Sequence, residues 1–226
     1  MSKVTGNDKT FMDINTLSFR SLSFGLWIIY YVFFATLLFG IFRLILVLYF
    51  AVRQKYHMSP KRKYEKNDIS VSVIVPAYNE SVVIEKTIDS LLMSTYSTFD
   101  IIVIDDGSTD GTGKIVEEKY RHNPRVRLLQ KTNSGKGKSM NYGIDHTDAE
   151  IIIVIDADTI FTPTTIGMLI RHFEDPRVGA VSGNVKVGNR DTLLTKFQSL
   201  EYISNQNIDK RAYDALGTIT VVPGAV

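Results

Sequence analysis

The sequence contains no cysteine, which excludes disulfide bonds and thiolate metal sites. Histidine is scarce as well, and its four residues are scattered over 226 positions without the spacing of a metal site. Neither sign of charge dominates, because the formal net charge is +2. A metal ion bound by this chain would therefore have oxygen ligands, which Mg²⁺ and Mn²⁺ prefer and Zn²⁺ does not.

Apolar residues are concentrated in one long run near the N-terminus. Positions 24–42 carry no charge, and the apolar character continues past Arg43 to Val52. A helix needs about 20 apolar residues to cross a bilayer. The run is too long for a signal peptide, no small-residue cleavage site follows it, and a buried core helix is rarely apolar on every face over this length. The sequence predicts one transmembrane helix over residues 22–52.

Basic residues predict the direction in which this helix crosses the membrane. Three precede it, and six follow it within a short stretch: Arg53, Lys55, Lys61, Arg62, Lys63 and Lys66. The positive-inside rule then places the C-terminal part in the cytoplasm, with the basic run near anionic lipid rather than on nucleic acid. We expect an extracytoplasmic segment at 1–21, a basic linker at 53–68, a soluble domain at 69–226, and location at the plasma membrane.

The soluble part alternates β-branched runs with amphipathic stretches. Strands are predicted at 71–75, 101–104, 126–129, 151–155 and 179–185, and helices at 80–93, 109–120, 138–145, 164–173 and 193–208. The runs at 101 and 151 are wholly apolar, as in strands that are buried on both faces. The alternation predicts an α/β fold with a mostly parallel sheet flanked by helices, in which ligands bind beyond the carboxyl ends of the strands.

Acidic residues follow three of these strands. Asp156 and Asp158 lie two positions apart after an extended segment, so their side chains share a face and could hold a divalent cation. Asp105 and Asp106 follow the second strand, and Glu80 comes shortly after the first. Carboxylates gathered at one edge repel each other, which favours a cation and a polyphosphate between them. For the Asp-x-Asp pair alone, the alternative is a solvated turn.

Two further motifs have competing interpretations. Residues 106–117 partly match a calcium-binding EF-hand loop, but a strand precedes them where that motif needs a helix. Gly137-Lys138-Ser139 resembles the end of a P-loop, but Thr132 stands where that motif needs glycine. What remains is a glycine-rich loop that carries Lys136 ahead of a helix and suits phosphate binding. The alternative is a flexible basic loop.

Taken together, four motifs resemble the inverting glycosyltransferases of family 2. They are 73–80 (VIVPAYNE), 105–108 (DDGS), Gly135-Lys136 ahead of 140–143 (MNYG), and Asp156-Ala157-Asp158. The membrane helix, Ser182-Gly183-Asn184, 198–202 (QSLEY) and 222–225 (VPGA) further resemble the processive synthases of poly-N-acetylglucosamine, hyaluronan, chitin and cellulose. The resemblance implies a GT-A-like, Rossmann-like domain over residues 69–226.

The resemblance also implies an activity and a set of site residues. The enzyme would be a metal-dependent hexosyltransferase that transfers N-acetylglucosamine from a UDP-sugar to a growing polysaccharide, with inversion. Its nucleotide-sugar would be bound by Ala77, Tyr78 and Glu80 at the uridine, Asp105 and Asp106 at the uracil and ribose, and Lys136 and Asp156 at the diphosphate. Asp156 and Asp158 would hold Mg²⁺ or Mn²⁺.

The family's catalytic base lies in an acceptor-side motif beyond Pro-Gly-Ala, followed by a Gln-x-x-Arg-Trp motif. Neither occurs here, and the only tryptophan is Trp27. We therefore expect a truncated chain whose base lies beyond Val226 and which is inactive by itself. Two alternatives stay open: transfer of a single sugar to a lipid phosphate, and a nucleotide-binding module without catalysis.

Overall fold

One long helix precedes the sheet domain in the computed structural model, which describes residues 7–57, 69–188 and 190–219. Helix α1 spans Asn7–His57 and therefore extends beyond the predicted membrane helix at both ends. By length and composition its part Phe24–Tyr56 can cross a membrane. Every side chain at 26–46 is exposed. Parts of the predicted N-terminal segment (1–6), linker (58–68) and soluble domain (189 and 220–226) lie outside the described residues.

The sheet contains four of the five predicted strands. They are β1 (Val71–Ala77), β2 (Phe99–Asp105), β3 (Val126–Gln130) and β4 (Ile151–Val154). All pairs are parallel, and the order across the sheet is β3-β2-β1-β4. The chain thus moves outward from β1 to β3 and then returns to the other side of β1. Such a reversal opens a crevice between β1 and β4 at their carboxyl ends, where ligands bind in open α/β sheets.

Helices cover both faces of the sheet, as predicted. The helices are α2 (Ile84–Leu92), α3 (Thr112–Tyr120), α4 (Lys136–Ile144) and α5 (Thr165–Ile170), and a 3₁₀ turn, Arg171–Glu174, extends α5. Side chains alternate between the faces of a strand. Val73 therefore packs with the α2, α3 and α5 side, whereas its neighbour Ile74 packs towards Tyr142 of α4. Right-handed crossovers place α4 on the opposite face, because the chain reverses direction after β3.

The expectation that two strands are buried on both faces is correct for one of them. β2 has a buried side chain at every position except Asp100, which is half-buried. In β4, by contrast, Ile152 is 37% exposed. The reason is position, since β2 lies between two strands and β4 lies at the edge of the described sheet.

The prediction of a fifth strand at 179–185 is wrong. These residues are described, and they pair with no strand of the described sheet. Its two valines, Val181 and Val185, are separated by serine, glycine and asparagine, and glycine inside a strand gives little side-chain packing. The segment is instead bound by a side chain, because the Lys210 ammonium donates to Ser182 Oγ at 2.7 Å and to the Gly183 carbonyl at 3.4 Å.

A final helical segment follows. The prediction of a helix at 193–208 is confirmed in α6 (Leu193–Ser204), and a π-helical turn, Asn205–Asp209, continues it into α7 (Lys210–Ala215). A capping box between Thr192 and Thr195 begins α6. Helix α7 packs against the C-terminal part of α1, where Gln54 bonds with Asp214 and Arg211.

Candidate functional site

The loops after β1 and β2 are bound to each other through Asn79. This residue has φ 57°, a left-handed conformation that asparagine tolerates better than most residues. Its side-chain oxygen accepts a hydrogen bond from Thr109 N at 2.8 Å, and its backbone N–H donates to Ser108 Oγ at 3.0 Å. Tyr78 precedes it and is 49% exposed. Asn79 was not among the predicted site residues, although asparagine at a strand end is a signal for such a turn.

Carboxylates from three strand ends lie close together. Partial burial raises the pKa of Glu80, and the negative charges of Asp158, Asp110 and Asp156 raise it further. These acids follow β1, β2 and β4, whose carboxyl ends meet at one edge of the parallel sheet. The structure therefore brings the predicted acidic residues to one edge of the sheet, at the crevice between β1 and β4.

Asp110 fixes the start of α3 beside this group. Its carboxylate accepts hydrogen bonds from Thr112 N at 3.0 Å and from Ser81 N at 2.9 Å. Partial desolvation raises the pKa of Asp110, but the hydrogen bonds from Thr112 and Ser81 outweigh it and hold the pKa well below its ordinary value. Asp110 thus joins the loop after β1 to the helix after β2 and stays ionised.

The Asp106 carboxylate binds the backbone of the glycine-rich loop. It is 3% exposed, and its carboxylate accepts hydrogen bonds from the Lys131 ammonium, from Ser134 N at 3.0 Å and from Gly135 N at 2.8 Å. Burial raises the pKa of Asp106, but these hydrogen bonds together hold it below its ordinary value. Lys131 was not predicted, although it directly follows β3 and so belongs to the same carboxyl edge of the sheet.

Two further predicted residues are buried. Asp105 is 5% exposed and accepts hydrogen bonds from Ser108 N at 2.9 Å and Gln130 Nε2 at 3.3 Å. Ala77 belongs to the hydrophobic core, and its carbonyl accepts a hydrogen bond from Asp106 N at 2.9 Å. Beneath the site, Gly107 has φ 74°, and a Cβ there would lie 2.9 Å from Asn133 N, so only glycine fits.

Lys136 and Asp156 form an ion pair across the crevice. Lys136 is the first residue of α4, and Asp156 follows β4. Both side chains are partly exposed, and Asp158 is exposed beside them. The Lys136 ammonium therefore stands where another cation could meet Asp156. The structure brings together three of the predicted residues, two acidic and one basic, in a position open to a ligand.

This donor set fits a metal ion that is shared with a ligand. Among the described residues, no group of three or more acidic, histidine or cysteine side chains is arranged to hold a metal by itself. Mg²⁺ is commonly bound by one or two carboxylates, with phosphate oxygens and water completing its coordination. Asp156 and Asp158 supply such a pair, so the residues fit Mg²⁺ or Mn²⁺ in the company of a diphosphate.

At the opposite edge of the sheet, the polar side chains are paired with each other around a cavity. A shallow cavity of about 420 Å³ lies at the amino ends of β1 and β2, lined by Ser72, Asp100, Thr147 and their neighbours. Ser72 Oγ contacts both the Asp100 carboxylate and Thr147 Oγ1 there, and Arg127 pairs with Asp100 at 2.7 Å. These polar groups bind each other. The carboxyl edge is therefore the candidate site.

Comparison with known proteins identifies the domain. A sequence profile described as glycosyl transferase family 2 matches residues 72–224, which include every predicted site residue. The chain belongs to glycosyl transferase family 2. The family prediction and the predicted GT-A-like fold are thereby confirmed.

Proteins similar to this chain include two synthases and a transferase of known structure. Poly-beta-1,6-N-acetyl-D-glucosamine synthase of Staphylococcus aureus is 30% identical over 178 residues, covering 78% of this chain and 43% of the relative. The synthase of the same name from Staphylococcus epidermidis is 30% identical over 181 residues, covering 79% and 44%. The mannosyltransferase PcManGT from Pyrobaculum calidifontis, solved with GDP-Man and Mn²⁺, is 30% identical with a TM-score of 0.52, covering 62% and 43%. The chain thus spans less than half the length of these relatives.

Proposed function

We propose that this chain carries the donor-binding part of a membrane glycosyltransferase that transfers N-acetylglucosamine from UDP-N-acetylglucosamine to a growing polysaccharide, with inversion. The observation that carries the proposal is the carboxyl edge of the sheet, where Asp156, Asp158 and Lys136 meet at the crevice within the family 2 match. The names of the staphylococcal relatives support the sugar and the polymer.

The chemistry follows from the charges at this edge. The oxygen of an acceptor hydroxyl bonds to the anomeric carbon while the bond from that carbon to the diphosphate oxygen breaks. The hydroxyl proton passes to a general base, and UDP leaves with its negative charge. Lys136 is placed to move from Asp156 to the diphosphate and neutralise part of that charge. A divalent cation at Asp156 and Asp158 would supply Lewis-acid stabilisation of the leaving group.

The remaining predicted residues would act around this centre. Tyr78 and Glu80 border the crevice from the β1 loop, where they would meet the uridine. Asp106 would act on the diphosphate side indirectly, since its carboxylate holds the backbone of Ser134 and Gly135 just ahead of Lys136. The Mn²⁺ and GDP-Man in the mannosyltransferase structure support a metal-assisted nucleotide-sugar site in this chain.

The proposal places the catalytic edge in the cytoplasm and α1 in the membrane. The apolar, exposed stretch of α1 supports the span, and the basic residues after it support the orientation. This arrangement gives the domain access to cytoplasmic nucleotide-sugar.

UDP binding tests the proposal. Isothermal titration calorimetry with UDP in detergent should show binding with Mn²⁺ and much weaker binding with EDTA. Equal affinity in both would contradict the metal assignment, and failure to bind in either would contradict the nucleotide site. The matched control is Asp148→Asn, because Asp148 is exposed near the amino end of β4 and should leave the affinity unchanged.

A further inference from the structure

Helix α6 presents its large apolar side chains to the outside of the protein. Leu193, Leu194, Phe197 and Leu200 are 72%, 78%, 61% and 62% exposed. On the other side of the same helix, Thr195 and Tyr202 are half-buried and Ser199 is buried. A surface helix of a soluble domain shows the opposite arrangement, with its apolar side on the core. Lys196 and Glu201 are also exposed on this helix. A cluster of large exposed apolar side chains of this kind indicates an interaction site.

The position of α6 indicates what covers this surface. The segment continues through the π-helical turn into α7, which packs on α1. Gln54 of α1 donates to Asp214 Oδ2 at 2.6 Å and accepts from Arg211 at 3.3 Å. Ala51 and Ala212, small residues on the two helices, are both buried. This contact thus involves the C-terminal end of α1.

The contact lies at the C-terminal end of the predicted membrane helix, residues 22–52. Side chains of α1 are exposed throughout 26–46, and the less exposed positions that follow, 47, 50, 51 and 54, share one helical face. The exposed stretch has about the length that spans the hydrocarbon of a bilayer. Helix α7 therefore meets α1 near the C-terminal end of the proposed span, and α6 is continuous with α7 through the π-helical turn.

We infer that α6 lies in the surface of the bilayer with Leu193, Phe197 and Leu200 among the lipid acyl chains. This inference rests on the proposed membrane span of α1, because that span places α7 at the membrane. An interfacial helix buries its apolar side about 5–10 Å into the boundary between headgroups and acyl chains. Its less exposed side, with Ser199 and Tyr202, then faces away from the lipid. The catalytic domain is then held against the membrane at two points, α1 and α6.

Depth-dependent fluorescence quenching tests this placement in the full chain. Because the sequence has no cysteine, Leu200→Cys and Phe197→Cys each give one site for an environment-sensitive fluorophore. Each labelled protein is reconstituted in vesicles of phosphatidylcholine and phosphatidylglycerol. The vesicles contain lipid with a nitroxide either near the headgroup or deep in the acyl chain. Phe34→Cys, in the middle of the exposed part of α1, reports the span, and Val82→Cys, 84% exposed on the sheet domain, reports water.

We expect labels at Leu200 and Phe197 to be quenched most by the headgroup-level nitroxide and little by aqueous iodide. The label at Phe34 should be quenched most by the deep nitroxide, and the label at Val82 only by iodide. Quenching at Leu200 and Phe197 by iodide alone would overturn the inference while a normal Phe34 result leaves the span intact. Protection from both quenchers, with disulfide crosslinking between Leu200→Cys copies, would overturn it in favour of contact between two copies. Loss of lipid quenching at Phe34 would overturn the span and the inference together.

Discussion

At the scale of single residues, the Asp106 carboxylate has a predicted role in nucleotide binding and an observed role in the structure of a loop. The resemblance to family 2 predicts that Asp106 contacts the nucleotide, whereas the structure shows both of its oxygens bound to the loop ahead of α4. A buried carboxylate needs such partners, since an unpaired charge in the interior is costly. Asp106 therefore stabilises the loop from which Lys136 reaches the crevice.

Replacing the Asp106 carboxylate tests how much it contributes to the stability of the fold. We expect Asp106→Asn to lower the free energy of unfolding at pH 7 by about 1.5–3 kcal/mol, the usual contribution of hydrogen bonds to a charged group. The pKa of Asp106 is lowered in the folded protein, so its contribution is present above the unfolded pKa of about 3.9 and is lost as the pH falls through the folded value. The variant should therefore lose stability less steeply than the parent as the pH falls below about 4.

Urea unfolding in detergent micelles, followed by circular dichroism across this pH range, measures both effects. The matched control is Asp145→Asn, which removes an exposed carboxylate just after α4 and should stay within about 0.5 kcal/mol. An unchanged stability in Asp106→Asn would contradict the role assigned to the Lys131 pair.

We propose that Asp158 acts in donor binding rather than in the stability of the fold. It is exposed two residues after Asp156, and its loss would remove a charge contact from the proposed metal and diphosphate site. We expect Asp158→Asn to weaken UDP binding in Mn²⁺ by about 2–5 kcal/mol. Calorimetry gives the affinity, and circular dichroism should show unchanged folding. Equal UDP affinity in the variant and its parent would remove Asp158 from the proposed site.

At the scale of elements, the position of α4 depends on Gly143. A Cβ at this residue would lie 2.7 Å from Ile74 Cγ2 and 3.3 Å from Ile104 Cδ1, so the helix packs directly on β1 and β2. Gly143→Ala should destabilise the domain by about 1–3 kcal/mol through overpacking. Because α4 carries Lys136 at its first residue, UDP affinity should fall as well.

Gly137→Ala is the matched control in the same helix. Among the described residues, a Cβ there meets no atom within 4 Å, and alanine is favoured over glycine inside a helix by about 0.5–1 kcal/mol. Thermal unfolding of the two variants should therefore shift in opposite directions. A stable Gly143→Ala protein would show that α4 has room to move away from β1.

At the scale of the whole molecule, the two ends of α1 differ in charge. The six basic residues after the apolar stretch predict that the sheet domain stays on the cytoplasmic side. In a bacterial host, a fluorescent reporter fused after Val226 should be active, and alkaline phosphatase fused there should be inactive. Reporters fused before Met1 should give the reverse pattern. Phosphatase activity at the C-terminal fusion would contradict the orientation and the proposed access to nucleotide-sugar.

Much of this architecture can be read from local patterns. The first four strands were predicted because β-branched runs report strands wherever a neighbouring strand is available. The acidic edge was predicted because parallel strands end at one edge of their sheet, so residues far apart in sequence share it. The Asp156/Asp158 pair follows from the same argument, whereas Lys136 was predicted from the glycine-rich loop ahead of a helix. The family motifs include all three residues.

By itself, then, the sequence determined an apolar helix long enough for a bilayer, an alternating α/β domain, and acidic and basic residues at its strand ends. Only the tertiary structure decided the order β3-β2-β1-β4, which opens the crevice between β1 and β4. It also decided that Lys131 holds Asp106, that Lys136 meets Asp156, and that 179–185 is bound by Lys210 rather than by a strand. The spacing of apolar and polar residues indicates which side of its own helix or strand each side chain occupies. The pairings above, in contrast, join residues that are distant in sequence. Their partners are settled only when the elements pack together.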